Sequence, residues 1–376
     1  GPEENEMAGI YIHVPFCKQK CTYCDFCSYP KELDKKEAYF ACLYREIKGR
    51  GMQLQGKTFD TVYFGGGTPS IVPPEYIAGA MKQIRNFFTL SSDPEITIEM
   101  NPGTVDENKI KVYKEAGINR FSIGLQTGFD DQLKRLNRIH TARDFVHCTE
   151  LIKGENFSAD VLIGLHDQTY DNVKRTVDLA LACGAKHISA YALTPEEGTP
   201  VYTDYLNGEL LSDDEVADIY SKLVGYLKEK GLNRYEVSNF AFPGYESRHN
   251  MTYWTRGDYI GMGASASSLI GNRRFTNVKK LDEYMNMIIA GKNPEAASET
   301  LTVEDEMFET VMLGLRLEKG FSLKKFKDDF GIDFKEYFKD SYEKNKDFLV
   351  EKDGFLAVKP EYMYVENGII VDFMKE

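Results

Sequence analysis

Six short runs of apolar and β-branched residues recur in the first half of the chain, at 9–14, 58–64, 95–100, 120–125, 158–165 and 186–193. Between them lie stretches with apolar residues at three- and four-residue spacing, near 34–50, 74–88, 106–117, 141–153 and 169–183. Asp106 is placed to cap one helix, and Ser212, ahead of Asp213, Asp214 and Glu215, another. Strands that alternate with helices predict a parallel sheet with helices on its outside. Eight such strands would close a full barrel. Six predict an α/β fold, a partial (β/α)6 TIM-like barrel whose open side admits a large substrate.

Past the sixth run the rhythm changes. Residues 195–214 read as a polar excursion, 212–230 as a helix, and 234–290 as a mixed stretch that extends the main domain. Near Glu299 the alternation stops. Residues 303–347 read as three short helices, and 348–359 as a β-hairpin turning at Asp353-Gly354. Together these predict a small C-terminal winged-helix-like α+β domain. A chain of 376 residues exceeds one ordinary domain, and the expected division is 8–298 and 299–376. Gly1-Pro2 reads as a remnant of tag cleavage and is set aside.

The balance of 42% hydrophobic and 28% charged residues is that of a globular protein. A net charge of −13 argues against broad electrostatic binding to nucleic acid or anionic membrane, and no nucleic-acid partner is expected. No apolar run approaches the ~20 residues that span a bilayer, and no signal peptide opens the chain. Seven cysteines are present, at 17, 21, 24, 27, 42, 148 and 183. The odd count, with four of them inside one short segment, favours a metal site in a reducing, cytoplasmic setting over a disulfide framework.

That segment, His13-Val14-Pro15-Phe16-Cys17-Lys18-Gln19-Lys20-Cys21-Thr22-Tyr23-Cys24-Asp25-Phe26, directly follows the first strand. Thiolates are soft ligands suited to iron–sulfur clusters and to zinc. Three sulfurs from Cys17, Cys21 and Cys24 can cover one face of a cubane and leave one iron with an open position. A structural zinc site wants four ligands, usually as two separated pairs, and Cys27 would crowd all four into one loop. The expected ligands of a 4Fe-4S cluster are therefore Cys17, Cys21 and Cys24, with Cys27 left over.

The C-x3-C-x2-C spacing after a first barrel strand resembles the signature of the radical S-adenosylmethionine (SAM) proteins. The resemblance implies that the methionine amino and carboxylate groups chelate the fourth iron. It further implies that one electron from the reduced cluster cleaves the sulfonium to a 5′-deoxyadenosyl radical. Tyr23, just before Cys24, also fits the family pattern.

Phe64-Gly65-Gly66-Gly67-Thr68-Pro69-Ser70 ends the second strand, and a plain turn hardly needs three glycines. It is not a phosphate loop, because the G-x4-G-K-[ST] pattern is absent. Glu99, Gln126, Arg138, Asp160 and Ala192 lie at or near the ends of later strands, where barrel enzymes place their sites. The resemblance maps Gly66, Gly67 and Thr68 onto the strand that receives the methionine amino group. It maps Glu99, Gln126, Arg138 and Asp160 onto contacts with adenosine, ribose and methionine carboxylate, and Tyr11 onto a further cofactor contact. The run Gly261-Met262-Gly263-Ala264-Ser265-Ala266 fits G-x-G-x-x-[GA], but no acidic residue follows at the distance a dinucleotide site requires.

Tyr11-Ile12-His13-Val14-Pro15-Phe16-Cys17 and the 238–270 region resemble the oxygen-independent coproporphyrinogen III oxidase group, over nearly the whole chain including the small C-terminal domain. Within that group, His249-Asn250-Met251-Thr252-Tyr253-Trp254 is similar to the H-N-x-x-Y-W motif of the HemW-type haem chaperones. That motif is absent from true coproporphyrinogen dehydrogenases. The 259–264 stretch also fits, whereas Ser265–Ser268 departs from the Ala-His-Ser of many relatives.

The resemblance implies haem as cargo at His249, Asn250, Tyr253 and Trp254, with a flavodoxin- or ferredoxin-type electron donor and a haemoprotein acceptor, membrane-associated or not. A neutral histidine can ligate ferric haem, and Tyr253 and Trp254 can pack on a porphyrin face. Residue type alone favours reading the same motif as a satisfied histidine in a turn beside a core tryptophan. Two enzyme readings stand beside the chaperone. One is oxidative decarboxylation of coproporphyrinogen propionates, whose enzymes use a longer N-terminal cover than the roughly ten residues that precede the first run here. The other is radical methyl transfer that opens the haem macrocycle. No catalytic side chain is assigned.

Overall fold

The computed structural model describes residues 7–17 and 30–374. Cys21, Tyr23, Cys24 and Cys27 lie outside the described residues. The six expected strands are β1 (Ala8–Val14), β2 (Thr58–Gly66), β3 (Thr89–Met100), β4 (Arg120–Gln126), β5 (Asn156–Ile163) and β6 (His187–Ala192). They pair in sequence order, all parallel. Helices Lys36–Gln53, Pro74–Phe87, Glu107–Glu115, Ala142–Leu151 and Tyr170–Ala182 carry the connections.

The alternation along each strand explains the layering. On β1, Ile10, Ile12 and Val14 are fully buried in the main apolar core, with Val62 and Phe64 of β2 and Ile96 and Ile98 of β3. The residues between them, Tyr11 and His13, Thr61 and Tyr63, Thr97 and Glu99, point to the other face of the sheet. That inner face is polar.

Two features depart from the expected fold. The mixed stretch after 234 extends the main domain, as expected, but it does so by adding strands to both sheet edges. β8 (Asn239–Ala241) joins β6 antiparallel and β7 (Asn233–Glu236) pairs antiparallel with β8 at the edge, while β9 (Asp258–Met262), β10 (Ser267–Ile270), β11 (Arg273–Asn277) and β12 (Glu295–Thr300) extend from β1. β9 is parallel to β1, so the parallel run has seven strands rather than six. Local periodicity cannot reveal a partner more than two hundred residues away. The glycines of the G-x-G-x-x-A run belong to this docking: a Cβ at Gly263 would overlap the Tyr39 hydroxyl, and one at Gly261 the Ser267 carbonyl.

The second departure is in the C-terminal unit, where 303–345 holds four helices, Val303–Gly314, Leu323–Phe330, Phe334–Tyr337 and Lys339–Asn345. Gly331, left-handed at φ 72°, ends the second, and the Asp333 side chain caps the third. A three-stranded antiparallel sheet accompanies them, in the order β13 (Phe321–Ser322), β15 (Phe355–Val358), β14 (Leu349–Lys352). Asp353 and Gly354 both have positive φ, which matches the twist of a tight hairpin. Its apolar core is separate from that of the large sheet.

The two units meet through charge. Arg316 reaches Glu236 of β7 at 3.3 Å and Glu366 at 3.4 Å, and its guanidinium lies 4.7 Å from the Trp254 ring centroid. Glu366 is 2% exposed, and burial pushes its carboxyl up to about 8 against the opposing pull of Arg316. The folded protein therefore keeps a proton on Glu366 that the unfolded chain releases near 4.5. Stability should fall as pH rises through this window and level off above about 8. Thermal melts between pH 5 and 9 check this: Glu366→Gln should flatten the decline and gain most, relative to the parent, at the alkaline end.

Candidate functional site

The segments that follow β1 and β2 are joined through their backbone. The Gly67 N–H donates to the Val14 carbonyl at 2.9 Å, and the Thr68 N–H to Phe16 at 2.7 Å. This zips the glycine turn against the segment that carries Cys17, itself 6% exposed. The three glycines serve that approach. A Cβ at Gly67 would overlap the Phe16 carbonyl, one at Gly66 would sit 2.8 Å from the His13 ring, and one at Gly65 2.8 Å from Glu99 Oε1. Gly66 also has φ 119°.

Glu99 is held at both oxygens. The Tyr63 hydroxyl donates to Oε2 at 2.7 Å and the Gly66 N–H to Oε1 at 3.2 Å. Burial pushes its carboxyl up, and these two bonds pull it back. Asp160 on β5 faces it. Burial and the Glu99 charge push Asp160 up to about 7, against Arg120 and Arg138. Tyr11 stacks on Tyr63 with centroids 6.2 Å apart and bonds His13 Nδ1 at 3.0 Å.

At the end of β4, Gln126 takes φ 70°, a conformation that costs a non-glycine residue energy and concentrates at functional sites. Beside it Arg138 donates to the Gly124 carbonyl at 3.0 Å. A Cβ at Gly124 would lie 3.0 Å from Arg138 Nη2 and 3.3 Å from Gln126 Nε2, so both side chains cross over that glycine. Ala192 ends β6, exposed at the same rim. Gly66, Gly67, Thr68, Glu99, Gln126, Arg138, Asp160 and Ala192 thus share one end of the sheet, and Tyr11 lies mid-strand beneath them, in register with Tyr63. Two carboxyl groups and a guanidinium there suit a ligand that carries both cationic and anionic groups, as the amino acid part of SAM does.

Residue-type reasoning missed Tyr63, which holds Glu99, and Arg120, whose guanidinium is 2% exposed and acts on Asp160. The only sequence sign of Tyr63 is its period-two alternation with Thr61 and Gly65.

The H-N-x-x-Y-W segment lies elsewhere. It forms the helix Arg248–Trp254, capped by the Ser247 side chain on the Asn250 N–H. His249 is 1% exposed, with Nδ1 bonded to Thr61 Oγ1 at 2.7 Å and Nε2 to the Tyr253 hydroxyl at 2.7 Å. It presents no nitrogen to iron in this arrangement, and burial pulls it down to about 3. Tyr253 packs edge-on against Tyr259, and Arg316 covers one face of Trp254. Asn250 is half-buried.

Gly67→Ala should push the Cys17 segment off the glycine turn. Iron and sulfide retained after anaerobic reconstitution should drop severalfold with the far-UV circular dichroism unchanged. Gly225→Ala, in a helix where a Cβ meets open space, should leave both as in the parent.

Comparison with known proteins places this geometry. Residues 11–180 match the radical SAM superfamily and 301–364 the HemN C-terminal domain. The chain is 34% identical to heme chaperone HemW of Bacillus subtilis, over 86% of this chain and 87% of that protein. It is 34% identical to HemW of Buchnera aphidicola subsp. Schizaphis graminum, over 97% and 98%, and 35% identical to HemW of Mycobacterium tuberculosis, over 86% and 85%. Escherichia coli coproporphyrinogen III oxidase (HemN), a radical SAM enzyme, superposes with a TM-score of 0.86 over 98% of this chain and 90% of its own, at 21% identity. That is likeness of fold. At this identity and coverage the chain belongs to the HemW family of radical SAM proteins.

Proposed function

We propose that this protein is a haem chaperone that carries a 4Fe-4S cluster and SAM, works in the cytoplasm, and passes haem to haemoprotein acceptors. The observation that carries the reading is near full-length similarity to proteins named HemW, through both the radical SAM part and the C-terminal domain.

In this proposal Cys17, Cys21 and Cys24 hold the cluster, and a reduced cluster bearing SAM supplies reductive cleavage of the sulfonium. The chain's own groups do the rest. The glycine turn at Gly66, Gly67 and Thr68 offers backbone to the methionine amino group, with Glu99 behind it as counter-charge. Arg138 answers the methionine carboxylate, and Gln126 and Asp160 the ribose and adenine edges. Ala192 offers backbone at the rim, and Tyr11 is a further cofactor contact; the same role for Tyr23 rests on the family pattern alone. An electron donor of the flavodoxin or ferredoxin class reduces the cluster. Haem as cargo rests on the family and not on axial ligation by His249, whose nitrogens are engaged inside the protein. Asn250, Tyr253 and Trp254 remain the side chains of the motif expected nearest the porphyrin.

The test is anaerobic reconstitution followed by haem, coproporphyrinogen and SAM with a reductant. Stable haem binding with the macrocycle unchanged, and transfer to an apo-haemoprotein, is the expected result. A vinyl-bearing product would make the protein a coproporphyrinogen dehydrogenase instead. A methylated or linear tetrapyrrole would make it a haem-modifying enzyme.

A further inference from the structure

A single helix joins parts of the sheet that are far apart in strand order. The Ser247 N–H donates to the Tyr235 hydroxyl of β7 at 3.2 Å, while two residues later His249 bonds Thr61 of β2. The N–H groups of Arg248 and His249 donate to the two oxygens of Glu95 on β3, at 2.9 and 3.1 Å. The Arg248–Trp254 helix therefore closes the inner face at the end opposite Cys17. His249 fills space that Gly9 leaves open: a Cβ there would lie 2.8 Å from Thr61 Oγ1 and 3.0 Å from His249 Nδ1.

The histidine ring then meets Tyr63 nearly parallel, with centroids 5.0 Å apart and planes at 19°. Tyr63 is the residue whose hydroxyl holds Glu99. We propose that His249 is a positioning residue for the cofactor pocket: clamped by Thr61 and Tyr253, it fixes the Tyr63 ring, and the Tyr63 hydroxyl fixes the Glu99 carboxyl that lines the pocket. The geometry fits this role and opposes ligation. A ligand to iron needs an open lone pair, and both ring nitrogens of His249 are already bonded to hydroxyls on the inside. A strut needs a flat face against its neighbour and bonds that stop it from turning, and His249 has both. The proposal rests on the reading of Glu99 as part of the SAM pocket.

The experiment compares the parent with His249→Ala, His249→Phe, Tyr63→Phe and the double variant His249→Ala/Tyr63→Phe. SAM affinity is measured on the cluster-loaded protein, haem binding by absorbance titration, and amide exchange at Gly66 on the cofactor-free protein. His249→Ala should weaken SAM binding by about tenfold, the scale of one hydrogen bond to a charged group. It should speed exchange at the Gly66 amide, which donates to Glu99, and leave haem binding near the parent value. Tyr63→Phe should do the same. The double variant should be little worse than either, because both act through one hydroxyl. His249→Phe keeps the flat face and should recover part of the loss, which separates positioning from a general failure to fold.

Unchanged Gly66 exchange in both His249 variants would overturn the proposal, as would losses that multiply in the double variant. Selective loss of the haem spectrum in His249→Ala, with SAM affinity and exchange intact, would overturn it in favour of axial ligation. A parent protein that binds no SAM would sink the pocket reading alone, and the exchange data would still decide for or against the strut.

Discussion

A parallel sheet that turns polar side chains toward its inner face must satisfy them where water is scarce. Here the inner face carries Thr61, Tyr63, Thr97, Glu99, Arg120, Asp160, His187 and Ser189; most are matched to another protein group, while Thr97 Oγ1 and Arg120 Nε are buried without one. His187 is bonded at both ring nitrogens, to Ser158 at 2.7 Å and Tyr235 at 2.6 Å. Ser189 donates to Asn239 at 2.8 Å, and Asn239 to Glu236 at 2.7 Å. Leaving such groups unpaired costs about 1–3 kcal/mol each, so the matching decides which arrangements of strands are possible. The strands added after residue 234 supply several of these partners. They complete the sheet chemically as well as geometrically.

The same constraint sorts the two ends of the inner face. At the amino ends of the strands the motif helix occupies the polar groups, and Glu95 takes two of its N–H groups. At the carboxyl ends the carboxyl groups of Glu99 and Asp160 are instead raised above their ordinary values. Buried acidic groups raised in this way, gathered at the carboxyl ends of parallel strands, are what a site for a cationic ligand group requires. Asp160 is the sharper case, because its two nearby guanidinium groups do not bring it down to the usual carboxylate range. A cation above the two carboxyl groups would favour their ionised forms.

Much of this was legible in the sequence because its causes are local. Period-two alternation gave the strands, three- and four-residue spacing gave the helices, and Asp353-Gly354 gave the hairpin. Cys17 and the glycine turn were visible by residue type, and the structure shows why: the glycines let two strand ends approach, and Cys17 sits beside them. What stayed hidden depends on pairings across the fold. β9 pairs with β1, Arg316 with Glu236, and Tyr63 with both Glu99 and His249. The histidine shows the limit most clearly. A histidine followed by tyrosine and tryptophan suits either a porphyrin or a packed turn, and only the positions of Thr61 and Gly9 separate these.

The placement of the motif helix links three regions that the sequence presents as unrelated. Its histidine reaches the strands that carry the cofactor pocket, and its tryptophan lies under Arg316 of the C-terminal unit. Trp254 Nε1, Arg316 Nε and Glu366 Oε2 are buried there without partners, as Thr97 Oγ1 and Arg120 Nε are on the inner face. The strut at His249 and the Arg316 contact at Trp254, five residues apart on one short helix, tie the inner face of the sheet to the C-terminal unit.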